Sequence, residues 1–133
     1  MASVVFDSSA ILALLRDEPG ADAVARHIGD GIISAVNFQE IIKELLRRGV
    51  PTEAALDLLD ALHLDVRAHG RNEAIAAANL YLATKQYGSG LGDRTCMALA
   101  IAESLPAITA DQAWSNVEVA GLQVQLIRGT QTK

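Results

Sequence analysis

Four carboxylates, Asp7, Glu40, Asp93 and Asp111, are spread through this chain of 133 residues. Asp7 closes the apolar run Ser3-Val4-Val5-Phe6, and Asp111 closes Pro106-Ala107-Ile108-Thr109-Ala110. Asp93 opens the nearly all-apolar stretch Cys96-Met97-Ala98-Leu99-Ala100-Ile101-Ala102. Three of the four thus sit where an apolar strand or helix begins or ends. In a parallel α/β sheet, strand C-terminal ends and the helix N-termini that follow them share one edge, and ligands bind there. Acids gathered on that edge repel one another unless positive charge lies between them. The pattern predicts a divalent cation held by oxygen ligands, and hard oxygen donors suit Mg²⁺ or Mn²⁺. His27, His63 and His69 are far apart and lack the spacing of a zinc site.

Each acid also has an ordinary structural explanation. Asp7 precedes Ser8-Ser9 and an apolar helix, and a cap there stabilises by ~1 kcal/mol. Asp93 at a helix start complements the macrodipole, although an acid at the edge of a buried helix needs a partner. Asp111 can cap a turn through Gln112-Ala113-Trp114. Glu40 is the weakest on spacing alone. Phe38, Ile41, Ile42 and Leu45 form an apolar face, which leaves Glu40 with Lys43, Glu44 and Arg47 on the face that meets solvent.

The elements that must position these acids are legible from periodicity and breakers. Ser3 to Phe6 reads as a short buried strand and Ala10 to Leu15 as a helix, broken by Pro19-Gly20. Ala21 to Ile28 reads as a second helix and Gly31 to Ala35 as a second strand. Asn37 caps a helix running to Arg48, which Gly49 and Pro51 terminate. Thr52 to His63 repeats leucines at helical spacing, and Leu64-Asp65-Val66 is a weak third strand. Asn72 to Tyr87 reads as one long Ala-rich helix, followed by the break Gly88-Ser89-Gly90 and the helix of Asp93. Ala107 to Thr109 and Val124 to Ile127 complete the strands. Helices alternating with short strands predict a three-layer α/β/α domain with a central parallel sheet. With no repeat or linker, residues 1–133 read as a single domain.

Composition agrees. Half the residues are hydrophobic and only 4% aromatic, which favours helices packed on a sheet over an aromatic-rich sandwich. The single cysteine, Cys96, excludes an internal disulfide and fits a reducing cytoplasm. No stretch approaches the ~20 apolar residues that cross a bilayer, and the N-terminus lacks the basic region of a signal peptide. The net charge of −5 argues at first against a nucleic-acid partner, but two bound divalent cations would offset most of it.

Taken together, four segments in order resemble the PIN-domain ribonucleases, most closely the VapC-type toxins of bacterial toxin–antitoxin pairs. They are Val5-Phe6-Asp7-Ser8-Ser9-Ala10-Ile11, Ser34-Ala35-Val36-Asn37-Phe38-Gln39-Glu40, Tyr87 to Arg94 with Cys96 to Ala100, and Ile108 to Trp114. The likeness spans Ser3 to Arg128, and the third segment is its most specific part. Where the family often carries Leu-Ser-Leu before Gly-Asp-Arg, this chain has Ser89-Gly90-Leu91. The resemblance selects Glu40 over Glu44. It implies that Asp7, Glu40 and Asp93 hold the metal, that Asp111 completes the site, and that Ser9 and Thr109 orient carboxylates or waters. It further implies an RNA substrate, a VapB-type antitoxin lying over the site, and a homodimer.

The chemistry expected is metal-assisted phosphodiester hydrolysis: one cation lowers the pKa of water, and a second, where present, stabilises the leaving oxygen. Lys43, Arg47, Arg48, Lys85 and Arg94 are the candidates for RNA-backbone contacts. The apolar segments Ile11 to Leu15 and Leu56 to Leu62 could offer an antitoxin groove, though most of their leucines read as core. Rival readings fare worse. A haloacid-dehalogenase-type phosphatase wants a second Asp where Ser9 stands. A receiver domain wants a lysine after a late strand, and there is none. A catalytically silent PIN-like binding module would have no need of all four acids.

Overall fold

Alternation within the short apolar runs decides how the layers stack. Residues along a strand face opposite sides in turn. Val4 and Phe6 of β1 (Val4–Phe6), Ile33 of β2 (Gly31–Ser34) and Ile108 of β4 (Ala107–Thr109) pack on one face, whereas Val5, Ile32 and Ala107 pack on the other. With β3 (Asp65–Arg67) and β5 (Val124–Leu126) these strands form one sheet in the order β3-β2-β1-β4-β5, every pair parallel. This is the computed structural model of the chain, and it describes residues 1–128. Residues 129–133 of the expected domain lie outside the described residues.

Four helices cover the first face: α1 (Ser8–Leu15), α2 (Ala21–Ala25), α3 (Ala35–Arg47) and α4 (Thr52–Asp60). They contribute Ala10, Ile11, Val24, Ile41, Leu45, Ala55 and Leu59 to its core. The second face is covered by α7 (Leu91–Glu103), through Cys96, Met97 and Ala100, together with the buried Trp114. Against α7 packs α5 (Arg71–Ala78). The expected three-layer α/β/α architecture with a central parallel sheet is therefore what the chain adopts. Of the leucines proposed as a groove, Leu59 and Leu62 are core, and Leu56 and Leu58 remain exposed. No helix among the described residues is long and apolar enough to cross a membrane.

The expected single helix over 72–87 is not one element. It stops at Asn79, after α5, and resumes as α6 (Tyr81–Thr84) followed by a 3₁₀ turn at Lys85–Tyr87. The amide of Leu80 bonds back only three residues, to Ala77, and the Thr84 hydroxyl takes the Leu80 carbonyl at 2.8 Å. Alanine content favours helix at every position but supplies no long-range packing, so a poor helix former such as Asn79 suffices to break the run. A second correction concerns α3. Its N-cap is Ser34, whose Oγ accepts from the Val36 amide at 3.1 Å. Asn37 lies inside the first turn, with its side chain used elsewhere.

Chain order places β1 at the centre, with β2 on one side and β4 on the other. The chain first winds outwards through β2 and β3, and then returns to β4 and β5. The C-terminal ends of β1 and β4 thus flank the crevice where the winding reverses. Asp7 directly follows β1, and Asp111 stands two residues beyond β4.

Close packing between β1 and the start of β2 sets one steric condition. A Cβ on Gly31 would overlap the Phe6 ring, and Phe6 is itself fully enclosed. Gly31→Ala should lower stability by about 1–3 kcal/mol, the usual penalty for overfilling a packed core. Urea denaturation checks this, and an unchanged midpoint would contradict the packing described.

Candidate active site

Asp7 is the deepest of the acids, with 3% of its surface exposed. Although it occupies the N-cap position of α1, its carboxylate caps nothing. Instead Oδ2 accepts from Ser9 Oγ at 2.6 Å and from Thr109 Oγ1 at 2.9 Å. The same two hydroxyls accept main-chain hydrogen bonds, Ser9 from Ala110 and Thr109 from Asp111. Asp7 is thereby tied to the segment that carries Asp111. Ser9 and Thr109, expected to orient carboxylates or waters, both donate to the same oxygen of Asp7.

Glu40 does not lie on the solvated face that helical spacing suggested. Its Oε1 accepts from Ser8 Oγ at 2.9 Å and from Asn37 Nδ2 at 3.0 Å. A Cβ on Gly92 would overlap its carboxylate, so α3 and the start of α7 meet through this glycine. Lys43, Glu44 and Arg47 form a separate outer cluster in which Glu44 takes both cations.

Asp93 and Asp111 each serve as caps and keep a second oxygen. Asp93 reaches back from the first turn of α7, and Oδ2 accepts from the Gly90 amide at 2.9 Å. Asp111 Oδ1 accepts from the Ala113 amide at 3.0 Å and starts the 3₁₀ helix Gln112–Asn116. The cap explanations therefore hold for these two acids without exhausting them. Among the described residues every one of the four carboxylates has a single oxygen engaged and the other without a protein donor: Asp7 Oδ1, Glu40 Oε2, Asp93 Oδ1 and Asp111 Oδ2.

The acids feel one another. Burial pushes the Asp7 carboxyl up to about 6, and the charges of Asp93 and Glu40 add to the rise while the Ser9 and Thr109 hydroxyls oppose it. Asp93 is also raised, first by burial and then by the charges of Asp111 and Glu40. The buried Trp114 indole N–H, which falls short of a full hydrogen bond, is turned towards Asp93 and favours its charged form. No basic side chain figures among the groups that shift either acid. Beneath them lies Cys96, fully buried, its thiol held well above the usual range mainly by burial. It is a core residue, as its apolar surroundings predicted.

Hard carboxylate donors with free oxygens and no ion-pair partner among the described residues suit a divalent ion. Among the described residues, however, no three His, Cys, Asp or Glu side chains stand in a ready-made ligating group. The fit is in chemistry and placement, and ligation would need the free oxygens to draw inwards. Two clefts among the described residues, of ≈ 250 and ≈ 510 Å³, are lined by none of the four acids. The first lies between α5 and α7, and the second surrounds Met1, Gly31 and Asp65.

The two residues singled out for RNA contact differ in availability. Lys43 is exposed and pairs with Glu44 at 3.1 Å. Arg94 is half-buried, donates to the Ser89 carbonyl at 2.7 Å and lies over the Tyr81 ring at 5.5 Å. Helical spacing did not single out Ser8 and Asn37 as partners of Glu40. The available signal was Asn37 standing three residues before Glu40, one helical turn away.

The raised pKa of Asp7 predicts a specific pH dependence. Between the ordinary value of 3.8 and about 6, the folded chain binds more protons than the unfolded one. Stability without metal should fall as pH rises through that window, and the full penalty is present above it. Its upper bound is about 3 kcal/mol at 1.36 kcal/mol per pKa unit. In EDTA, Asp7→Asn should therefore be more stable than wild type at pH 7.5 and lose that advantage near pH 4. Urea denaturation across pH checks the sign.

The family model described as "PIN domain" matches residues 4–120. No curated protein matches the chain. Among solved structures, DNA-bound VapBC from Salmonella typhimurium aligns with a TM-score of 0.73 at 15% identity, covering 96% of this chain and 100% of that one. VapBC of Rickettsia felis bound to a promoter DNA fragment gives 0.69 at 14% identity over 92% and 97%. A toxin–antitoxin complex from Klebsiella pneumoniae gives 0.68 at 17% over 90% and 95%. At such identities these likenesses are of fold, whereas the family match covers most of the sequence: the chain belongs to the PIN-domain family.

Proposed function

We propose that this protein is a metal-dependent endoribonuclease acting as the toxin of a VapBC-type pair, and that a VapB-type antitoxin neutralises it. The observation that carries the nuclease reading is the set of four acids at the sheet's switch-point edge. Each keeps one oxygen free, two are raised by burial and mutual repulsion, and among the described residues none of the four is in a salt bridge. The toxin role draws on the fold shared with VapBC structures over nearly the full length of both chains. A homodimer is part of the same proposal.

Asp7, Glu40, Asp93 and Asp111 would hold Mg²⁺ or Mn²⁺. When bound, such a cation makes water a usable nucleophile near neutral pH and offsets the charge of the departing oxygen. The remaining work belongs to the chain. Ser9 and Thr109 keep Asp7 from rotating by engaging Oδ2, which leaves Oδ1 for the site. The Gly90 and Ala113 amides do the same for Asp93 and Asp111. Burial removes competing water from Asp7 and so strengthens its attraction for positive charge. Lys43 is the more exposed of the two backbone-contact candidates, although it pairs with Glu44, whereas Arg94 is held by Ser89 and Tyr81.

Purified protein should cleave RNA with Mg²⁺ or Mn²⁺ and stop cleaving in EDTA. Asp7→Asn and Asp93→Asn should each be inactive. Metal-independent cleavage, or full activity in both variants, would overturn the mechanism. Expression of the wild type without its antitoxin should arrest growth, and that of Asp7→Asn should not. Harmless accumulation of active enzyme would count against the toxin role while leaving the nuclease intact.

A further inference from the structure

We infer that Asn37 is a positioning residue that locks Glu40 to the start of α7, setting the spacing between Glu40 and Asp93 on which cation binding depends. The inference rests on the nuclease reading and goes beyond it, to a residue outside the four acids. Asn37 is entirely buried. Its Nδ2 donates twice, to Glu40 Oε1 at 3.0 Å and to the Gly92 carbonyl at 3.0 Å. Gly92 immediately precedes Asp93. One amide group therefore spans from the acid on α3 to the residue adjoining the acid on α7.

Local stability does not explain the choice of asparagine. Asn is a poor residue inside a helix, and the first turn of α3 is already capped by Ser34. The other end of the amide, Oδ1, is buried without a hydrogen-bond partner among the described residues, an arrangement that costs folding free energy. An apolar residue of similar shape would avoid that cost. What it could not do is donate to two acceptors on different helices.

The donors also choose which oxygen stays free. Ser8 and Asn37 both engage Oε1, so Oε2 is left on the side of Gly92. Ser8 adjoins Asp7 as Gly92 adjoins Asp93. Glu40 is thus referenced to two other acids through neutral donors, which fix its rotamer without cancelling its charge. Outer partners of this kind typically alter metal affinity about 10- to 100-fold when removed.

The test measures Mn²⁺ binding by electron paramagnetic resonance on the full chain. Asn37→Leu, which keeps the branching at Cγ and removes the donors, should weaken Mn²⁺ binding about 10- to 100-fold. Gln39→Ala, on the exposed side of the same turn, should leave it unchanged. A folded Asn37→Leu protein with wild-type affinity would overturn the inference. Should that variant not fold, Asn37→Ala removes the same two donors without placing a larger apolar group beside Glu40, and wild-type affinity there would overturn it equally. A second measurement needs no metal. The shift in melting temperature caused by Asn37→Leu should be non-additive with that of Glu40→Met in EDTA, and strict additivity would refute the coupling. If the wild type binds no Mn²⁺, the nuclease reading fails on its own, and the thermal cycle still decides the contact.

Discussion

A carboxylate removed from water and set near two other carboxylates is the interaction around which this molecule is arranged. Asp7 directly follows the central strand and is almost wholly removed from solvent. Two hydroxyls partly relieve its burial, and two like charges aggravate it. A structural acid would be expected to have a lysine or arginine at hand. Among the described residues the hydrogen-bond donors to Asp7 are neutral hydroxyls, which preserve the negative field and leave the buried charge costly to the fold.

The neutral donors have a second consequence. Each links an acid to a neighbour of another acid: Thr109 joins Asp7 to the Asp111 backbone, Ser8 joins the Asp7 segment to Glu40, and Asn37 joins Glu40 to Gly92. Elements far apart in sequence are therefore fastened at the site itself. The absence of a side chain at Gly92 allows the Glu40 carboxylate to approach α7. Packing and chemistry meet in the same atoms, and a change at one acid should be felt by the others through these bonds.

The fold explains how a short chain can afford such a site. The apolar faces of the sheet are satisfied by two separate cores, one under α1 to α4 and one under α7. These fix the strand order, and the reversal of winding brings the ends of β1 and β4 side by side. The same framework recurs in the toxin–antitoxin structures at identities of 14–17%. Layer packing constrains residue class more than residue identity, so a framework can persist while most side chains change.

Local pattern was enough for much of this. The short valine and isoleucine runs, the breaks at Pro19-Gly20 and Gly49, and the helix of Asp93 are read from neighbours within one or two turns. They led to the sheet, the layers and the family. Element ends were less legible: Ala-rich 72–87 has no periodic contrast to reveal its interruption at Asn79. For the site, residue type and motif order singled out the four acids. Spacing alone misjudged Glu40, because a helical wheel distinguishes apolar from polar but not solvent from a facing helix. Whether a polar side chain meets water, Ser8 or Gly92 depends on the distance between α1, α3 and α7. Strand order and core volume set that distance, and both arise from residues dozens of positions away.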